Sequence, residues 1–226
     1  MCVTNKQDTE SVTQIQSAGE GQPFRPPLIP PVNGGERNNW IGAGISLRED
    51  GAMSWGGNAL EEVARNRLKY LNGIGVDPKL AVLAEQVHGT GVRRVTAEDG
   101  GRGILEPQGR IAATDGFVTN VQGITLTTLH SDCAPIYYAD EKTRTIGLAH
   151  AGWRGILAGL PGKMLVSMQS EFGSDPKEIE VAVGPMICTE HYEVRPELAD
   201  EFRQRFGPQM ILTRGGRPYL DLFAAL

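Results

Sequence analysis

The chain has 226 residues, 40% apolar and 22% charged, an ordinary soluble composition that allows one sizeable core or two small ones. Twenty-two lysines and arginines against 27 acidic residues leave a net charge of −5 with no basic block, so a nucleic-acid backbone is not an expected partner, and no membrane partner is expected either. No run approaches the roughly 18 consecutive apolar residues of a membrane span, and the segment from Met1 lacks the apolar centre of a signal peptide, so a cytoplasmic protein is expected.

Residues 1–37 are rich in Gln, Ser, Thr, Glu, Gly and Pro and carry no periodic apolar face. They read as a disordered tail, leaving 38–226 as a single domain. Trp40 to Leu47 alternates loosely and predicts a first strand. Asn58 is a plausible N-cap for a helix whose Leu60, Val63, Ala64, Leu68 and Leu71 recur at helical spacing before Gly73 and Gly75 end it. Ala81 to His88 reads as a strand with Gly91 to Thr96 as its hairpin partner, and glycine-rich 97–110 as a surface loop.

Gly116–Thr119, Ile124–Leu129, Ile136–Ala139 and Thr145–Ala149 follow as strands with short turns, implying a largely antiparallel or mixed sheet. A helical pattern then runs from Ile156 to Phe172, with Pro161 marking either a kink or a fresh first turn. Ile179–Val183 predicts a strand, Pro196–Phe206 a helix and Tyr219–Leu222 a last strand. Strands that cluster without intervening helices disfavour a Rossmann sheet. The fold class is α/β (α+β), with mixed sheets covered by helices.

Three apolar runs each deliver a soft donor at their end: His88, Cys133 and His150. One thiolate and two neutral imidazoles suit zinc or copper with an open fourth position better than a closed structural site. The spacings, 45 and 17 residues, match no short finger or ribbon pattern, and a buried cysteine with two hydrogen-bonded histidines serving the core is the alternative. A metal-free cysteine nucleophile, Cys133 with His150 as base, is a further reading. Three widely separated cysteines (Cys2, Cys133, Cys188) argue against a disulfide framework.

Arg154 is placed to hold a phosphate or developing negative charge, or else to pair with a carboxylate. Asp132 either orients a ligand or the reacting group or caps its own turn. Gln86 alternates to the face of His88 and can reach a substrate. Asn66 and Arg67 either point toward the site or lie on a solvated helix flank. Trp153 reads as core or pocket wall. His130 is a further ligand or acid/base group, or, preferably, a strand-end histidine facing solvent; His191 reads as a surface-turn residue.

The segments Gln86-Val-His-Gly89, Ser131-Asp-Cys-Ala-Pro135 and His150-Ala-Gly-Trp-Arg-Gly155 resemble, in that order, the YfiH family of laccase-domain, multicopper polyphenol oxidase-like proteins. Asn66-Arg67, Thr114-Asp-Gly-Phe-Val-Thr119, Val183-Gly-Pro185 and Tyr192-Glu-Val194 extend the likeness to about residues 41–223. The resemblance implies a layered sandwich of two sheets flanked by helices. It carries the metal-ligand role onto His88, Cys133 and His150, with Zn(2+) expected first and Cu(2+) second.

It also implies phosphorolysis of adenosine, inosine and methylthioadenosine, with a purine nucleoside and phosphate as partners and adenosine deamination as a second activity. On that reading His88, Cys133, His150 and Arg154 are catalytic, and Gln86, Asp132 and Arg67 bind substrate. The family's older name suggests copper-dependent polyphenol oxidation, yet four histidines in all cannot furnish a multicopper cluster. The loop at 48–57 matches the family only in part, and His130 stands where the family has a small or hydroxyl residue. The chain stops at Leu226, where the family commonly continues. Either a shortened member or a fragment of a longer chain is therefore expected, and a zinc-stabilised interaction protein is the non-enzymatic alternative.

Overall fold

The structure is a computed structural model that describes Cys2–Val3, Ser11–Ser17 and residues 40–226. In chain order the strands are β1 (Cys2–Val3), β2 (Ser11–Ser17), β3 (Ile41–Ile45), β4 (Ala81–Leu83), β5 (Val92–Arg94), β6 (Gly116–Thr119), β7 (Thr125–His130), β8 (Ala134–Asp140), β9 (Thr145–Ala151), β10 (Glu180–Val183), β11 (Met186–Ile187), β12 (Ile211–Arg214) and β13 (Arg217–Leu220). The helices are α1 (Leu60–Gly73), α2 (Trp153–Leu157), α3 (Leu160–Phe172) and α4 (Pro196–Phe206).

Two main sheets form, in the orders β10-β8-β9-β6-β5 and β3-β2-β7-β4. Every residue of β8 and β9 is buried, as expected of strands covered on both faces. Alternation then sorts their side chains. Val118, Ile136, Tyr138, Ala149 and Ala151 pack toward α2, α3 and α4 with Met164, Met168 and Phe202. Phe117, Tyr137, Ala139, Ile146 and Leu148 face the other way, onto Val82, Ile124 and Leu126 beside the second sheet. A third cluster joins Ala81 and Leu83 to Tyr70 and Leu71 of α1, with Met53 and Ile104. The layers run α1, four-stranded sheet, five-stranded sheet, α2–α4, which is the expected two-sheet sandwich flanked by helices.

Several local expectations change. Most of the stretch expected as a disordered tail lies outside the described residues, but Ser11–Ser17 forms β2, paired antiparallel with both β3 and β7. The β-branched Val12, Thr13 and Ile15 favour a strand, and two waiting partners supply the hydrogen bonds that composition alone could not reveal. β5 is not the hairpin partner of β4: β4 pairs parallel with β7, and β5 pairs parallel with β6 in the other sheet. The chain leaves β4 at Leu83, well before His88, so 85–91 is a crossing loop between layers.

Asn58 does not cap α1. Its side-chain amide donates to the carbonyls of Ser54 and Gly56, and Ala59 stands at the N-cap. Ile104, in the expected surface loop, is buried in the third cluster. The long helix breaks at Gly159, whose φ of +81° suits glycine, and α3 starts afresh with Pro161 in its first turn. Cys188 is disulfide-bonded. Cys133 is in no disulfide.

Asp140, buried at the β8–β9 turn, accepts from the Thr143 hydroxyl at 2.7 Å and from the Lys142 amide at 3.0 Å. Burial pushes its carboxyl up, but hydrogen bonds from Ser174, Thr143 and Lys142 outweigh that and hold it below the usual value. A depressed folded-state pKa means stability that is complete above the unfolded value of about 3.9 and lost as pH falls through the folded value. Asp140→Asn is therefore expected to cost about 1–2 kcal/mol at pH 7 and much less near pH 3. Thermal melts of both proteins across pH 2.5–7 check it; a gap constant with pH refutes it.

Candidate metal centre

The site lies where the ends of several strands meet. In the β8–β9 ladder Ala134 is opposite Ala151 and Pro135 opposite His150, which sets Cys133, in the turn before β8, beside Gly152. In the β6–β9 ladder Gly116 is opposite Ala149, which sets Asp115 beside His150. The His150 amide donates to the Asp115 carbonyl at 2.7 Å, continuing that ladder past its end. His88 arrives on the 85–91 loop from the other layer, because β5 after it must pair with β6.

The donor atoms of His88, Cys133 and His150 all lie within 4.8 Å of one another. A point within about 2.8 Å of all three therefore exists, and closing to the roughly 2.0–2.3 Å of zinc–nitrogen and zinc–sulfur bonds needs shifts of at most about 0.5–0.8 Å. The rings of His88 and His150 meet edge-on, 4.7 Å between centroids. His150 is buried, Cys133 half-buried and His88 exposed, so the corner opens on the His88 side. Gly152 backs it: a Cβ there would come 2.9 Å from the Cys133 Sγ and 3.2 Å from the His88 Cδ2. Donor chemistry, spacing and this close-fitting wall all suit a metal.

Asp115 holds the corner from behind. Its carboxylate is fully buried and accepts from His150 Nδ1 at 3.0 Å and from the backbone amides of Val87, His88 and Gly89 at 3.2, 2.9 and 2.8 Å. Burial pushes its pKa up, but the His150 hydrogen bond and the amides of Gly89 and Val87 outweigh burial and leave it lower than usual. Three successive N–H groups converging on one anion form a nest, and His88 occupies the left-handed region with φ +59°. A carboxylate only accepts, so neutral His150 carries its proton on Nδ1 and turns the Nε2 lone pair toward the corner.

His130 is not the solvent-facing strand end that the sequence predicts. It is 2% exposed, its Nε2 lies 2.8 Å from the Thr128 hydroxyl and its Nδ1 3.2 Å from the Cys133 carbonyl. Burial, the largest cause, holds its pKa well below the usual value. It is a neutral buttress, its ring centroid 5.1 Å from that of His150, with both nitrogens committed. His191 is exposed on a 3-10 turn, as expected.

The expected substrate contacts divide. Arg154, in α2, is exposed, with its guanidinium 4.3 Å from the Trp153 ring centroid; Trp153 is half-buried against the core. Asp132 flanks Cys133, and its carbonyl accepts from the Ile187 amide. Gln86 is turned to the backbone: its amide donates to Leu129 O and accepts from Leu129 N, both at 2.7 Å, prolonging the β4–β7 pairing. Arg67, expected at the substrate, is instead 2% exposed and donates to the carbonyls of Met53, Gly103 and Ile104.

Three contributors carry no role in the sequence reading: Asp115, Gly152 and Tyr192. Asp115 and Tyr192 stand inside the motif segments 114–119 and 192–194, but their partners are distant in sequence. Burial, with the negative charges of Cys133 and Asp132 next and Arg154 opposing, pushes the Tyr192 hydroxyl up to about 12. Tyr192 thus shares the neighbourhood of Cys133, Asp132 and Arg154.

Fold and corner together define a two-sheet α/β sandwich with a His/Cys site able to hold a metal. The chain belongs to the multi-copper polyphenol oxidoreductase laccase family, whose model matches residues 51–226. It is 33% identical over 170 residues to the purine nucleoside phosphorylase YlmD of Geobacillus stearothermophilus, covering 74% of this chain and 62% of that one. The crystal structure of YlmD from that organism superposes with a TM-score of 0.72 at 31% identity, over 76% of this chain and 66% of that one. An adenosine deaminase, RL5, from an unknown prokaryotic organism is 29% identical over 188 residues, 78% of this chain and 71% of its own. The chain spans about three fifths of the length of YlmD. Among the described residues no helix is long and apolar enough to cross a membrane.

Proposed function

We propose that the protein is a metal-dependent purine nucleoside phosphorylase, with adenosine deamination as a second activity. The observation that carries the reading is the open His88–Cys133–His150 corner with exposed Arg154 four residues beyond His150. The likeness to YlmD and RL5 supports the choice of substrate. Zinc, when bound, would supply a Lewis acid with one open position.

The chain's own groups do the rest. Cys133 would bind as thiolate and both histidines as neutral imidazoles. Arg154 would hold phosphate through paired N–H donors, presenting one oxygen to the anomeric carbon of the ribose. The glycosidic C–N bond then breaks with its electron pair leaving on the purine, which takes up a proton. In deamination, water would add at purine C6 and ammonia would leave. Tyr192, protonated at neutral pH, is a hydrogen-bond donor within the same neighbourhood.

A copper polyphenol oxidase is the second reading, favoured by the family description. The four histidines are His88, His130, His150 and His191. With both His130 nitrogens engaged, the donors assemble one mononuclear corner rather than a multicopper cluster.

Hypoxanthine release from inosine, with and without phosphate, tests the proposal on metal-analysed protein. Expected are about one zinc per chain and phosphate-dependent release that falls at least about 100-fold in Cys133→Ala, since losing a ligand costs no less than losing its outer-shell support. Zinc without turnover would move the reading to a zinc-stabilised interaction protein. Oxygen uptake with a diphenol by copper-loaded protein, absent nucleoside turnover, would move it to the oxidase.

A further inference from the structure

We infer that Asp115 is the positioning residue of the corner: it sets the tautomer of His150 and clamps the left-handed turn that presents His88. The inference rests on the metal reading of His88, Cys133 and His150, but not on the nucleoside chemistry. One buried carboxylate touches the elements of two ligands at once, through Oδ1 to His150 Nδ1 and the His88 amide, and through Oδ2 to the amides of Val87 and Gly89. Every partner is a donor, so only a group with two acceptor oxygens satisfies all four.

An isosteric amide separates this role from simple space filling. The side chain that Asp115→Asn introduces has one acceptor edge and one donor edge. With its oxygen toward His150, its NH₂ would face the N–H groups of Val87 and Gly89, two donor–donor conflicts. The reverse placement leaves one conflict, at the His88 amide, and presents an N–H to His150 Nδ1. His150 then accepts there and moves its own proton to Nε2. The lone pair that faces Cys133 and His88 is lost, although shape and volume are unchanged. The His88 turn loses part of the anion that offsets its left-handed backbone, a conformation that is strained outside glycine.

The test compares wild type and Asp115→Asn by nitrogen-15 NMR of the histidine rings in chelator-stripped protein, and by zinc titration against a chromophoric chelator. Expected are an Nδ1–H His150 in the wild type, an Nε2–H His150 in the variant, and a loss of zinc affinity of about 100-fold. A thermal melt run alongside identifies a variant that has failed to fold. In that case the wild-type spectrum decides alone, and an Nε2–H His150 there overturns the inference. An unchanged tautomer or affinity in a folded variant overturns it equally. Wild type that shows the Nδ1–H ring but binds no zinc defeats the metal reading and leaves the assignment of Asp115 to His150 standing.

Discussion

Gly152→Ala is expected to leave the fold intact and to lower zinc affinity by about 100-fold, with nucleoside turnover falling in step. Gly152 has φ −82° and ψ 169°, a conformation open to any residue, so the backbone has no need of glycine. The requirement is steric and local. The added methyl would stand 2.9 Å from Cys133 Sγ and 3.2 Å from His88 Cδ2, and the third atom it would meet is the Cys133 Cβ at 4.0 Å. All three belong to the ligand side chains, so the displacement falls on the corner rather than on the core. A zinc–ligand bond keeps its length to within about 0.2 Å, and a methyl 2.9 Å from Sγ pushes the thiolate aside from the position it must take. Competition titration with zinc, beside thermal melts, checks this. Wild-type affinity in the variant would mean that the thiolate binds from a different rotamer.

The same glycine shows what the sequence could and could not reveal. The donors His88, Cys133 and His150 are legible because each follows an apolar, β-branched run, although His88 stands on the loop beyond β4 and Cys133 in the turn before β8. The register that brings Cys133 beside Gly152 depends on where the β8–β9 turn closes, and composition does not fix that. The role of Asp115 is illegible for a related reason: its four hydrogen-bond partners lie 26 to 35 residues away, and nothing local distinguishes it from a turn aspartate. β5 departs from expectation because a short apolar run after a glycine turn looks alike whether it folds back on β4 or crosses to β6. The helices fare better, since α4 over Pro196–Phe206 follows directly from apolar spacing and a proline start.

Arg67→Met is the stability change expected to be largest, about 3–5 kcal/mol, or a melting temperature lower by roughly 10 °C. Helical spacing puts an apolar stripe on α1, yet the buried positions are Val63, Arg67, Tyr70 and Leu71, so an arginine occupies the centre of the stripe. Its guanidinium bonds the Met53 carbonyl through Nε at 2.8 Å and again through Nη2. Nη1 spans Gly103 and Ile104 at 3.2 and 3.0 Å, and the whole group stacks 3.8 Å from the Trp55 ring centroid. Two irregular segments far apart in sequence are thereby fastened to one helix. Methionine fills similar volume but satisfies none of the three carbonyls, which then stay buried at a cost of about 1–3 kcal/mol each before relaxation. Lysine reaches one segment at a time and is expected to recover less than half the loss. Denaturant melts of the Met and Lys variants check the ranking, and zinc binding by whatever fraction remains folded should be unchanged, because Arg67 touches neither the corner nor Asp115 through any of these contacts. A variant of normal stability but impaired turnover would instead return Arg67 to the substrate.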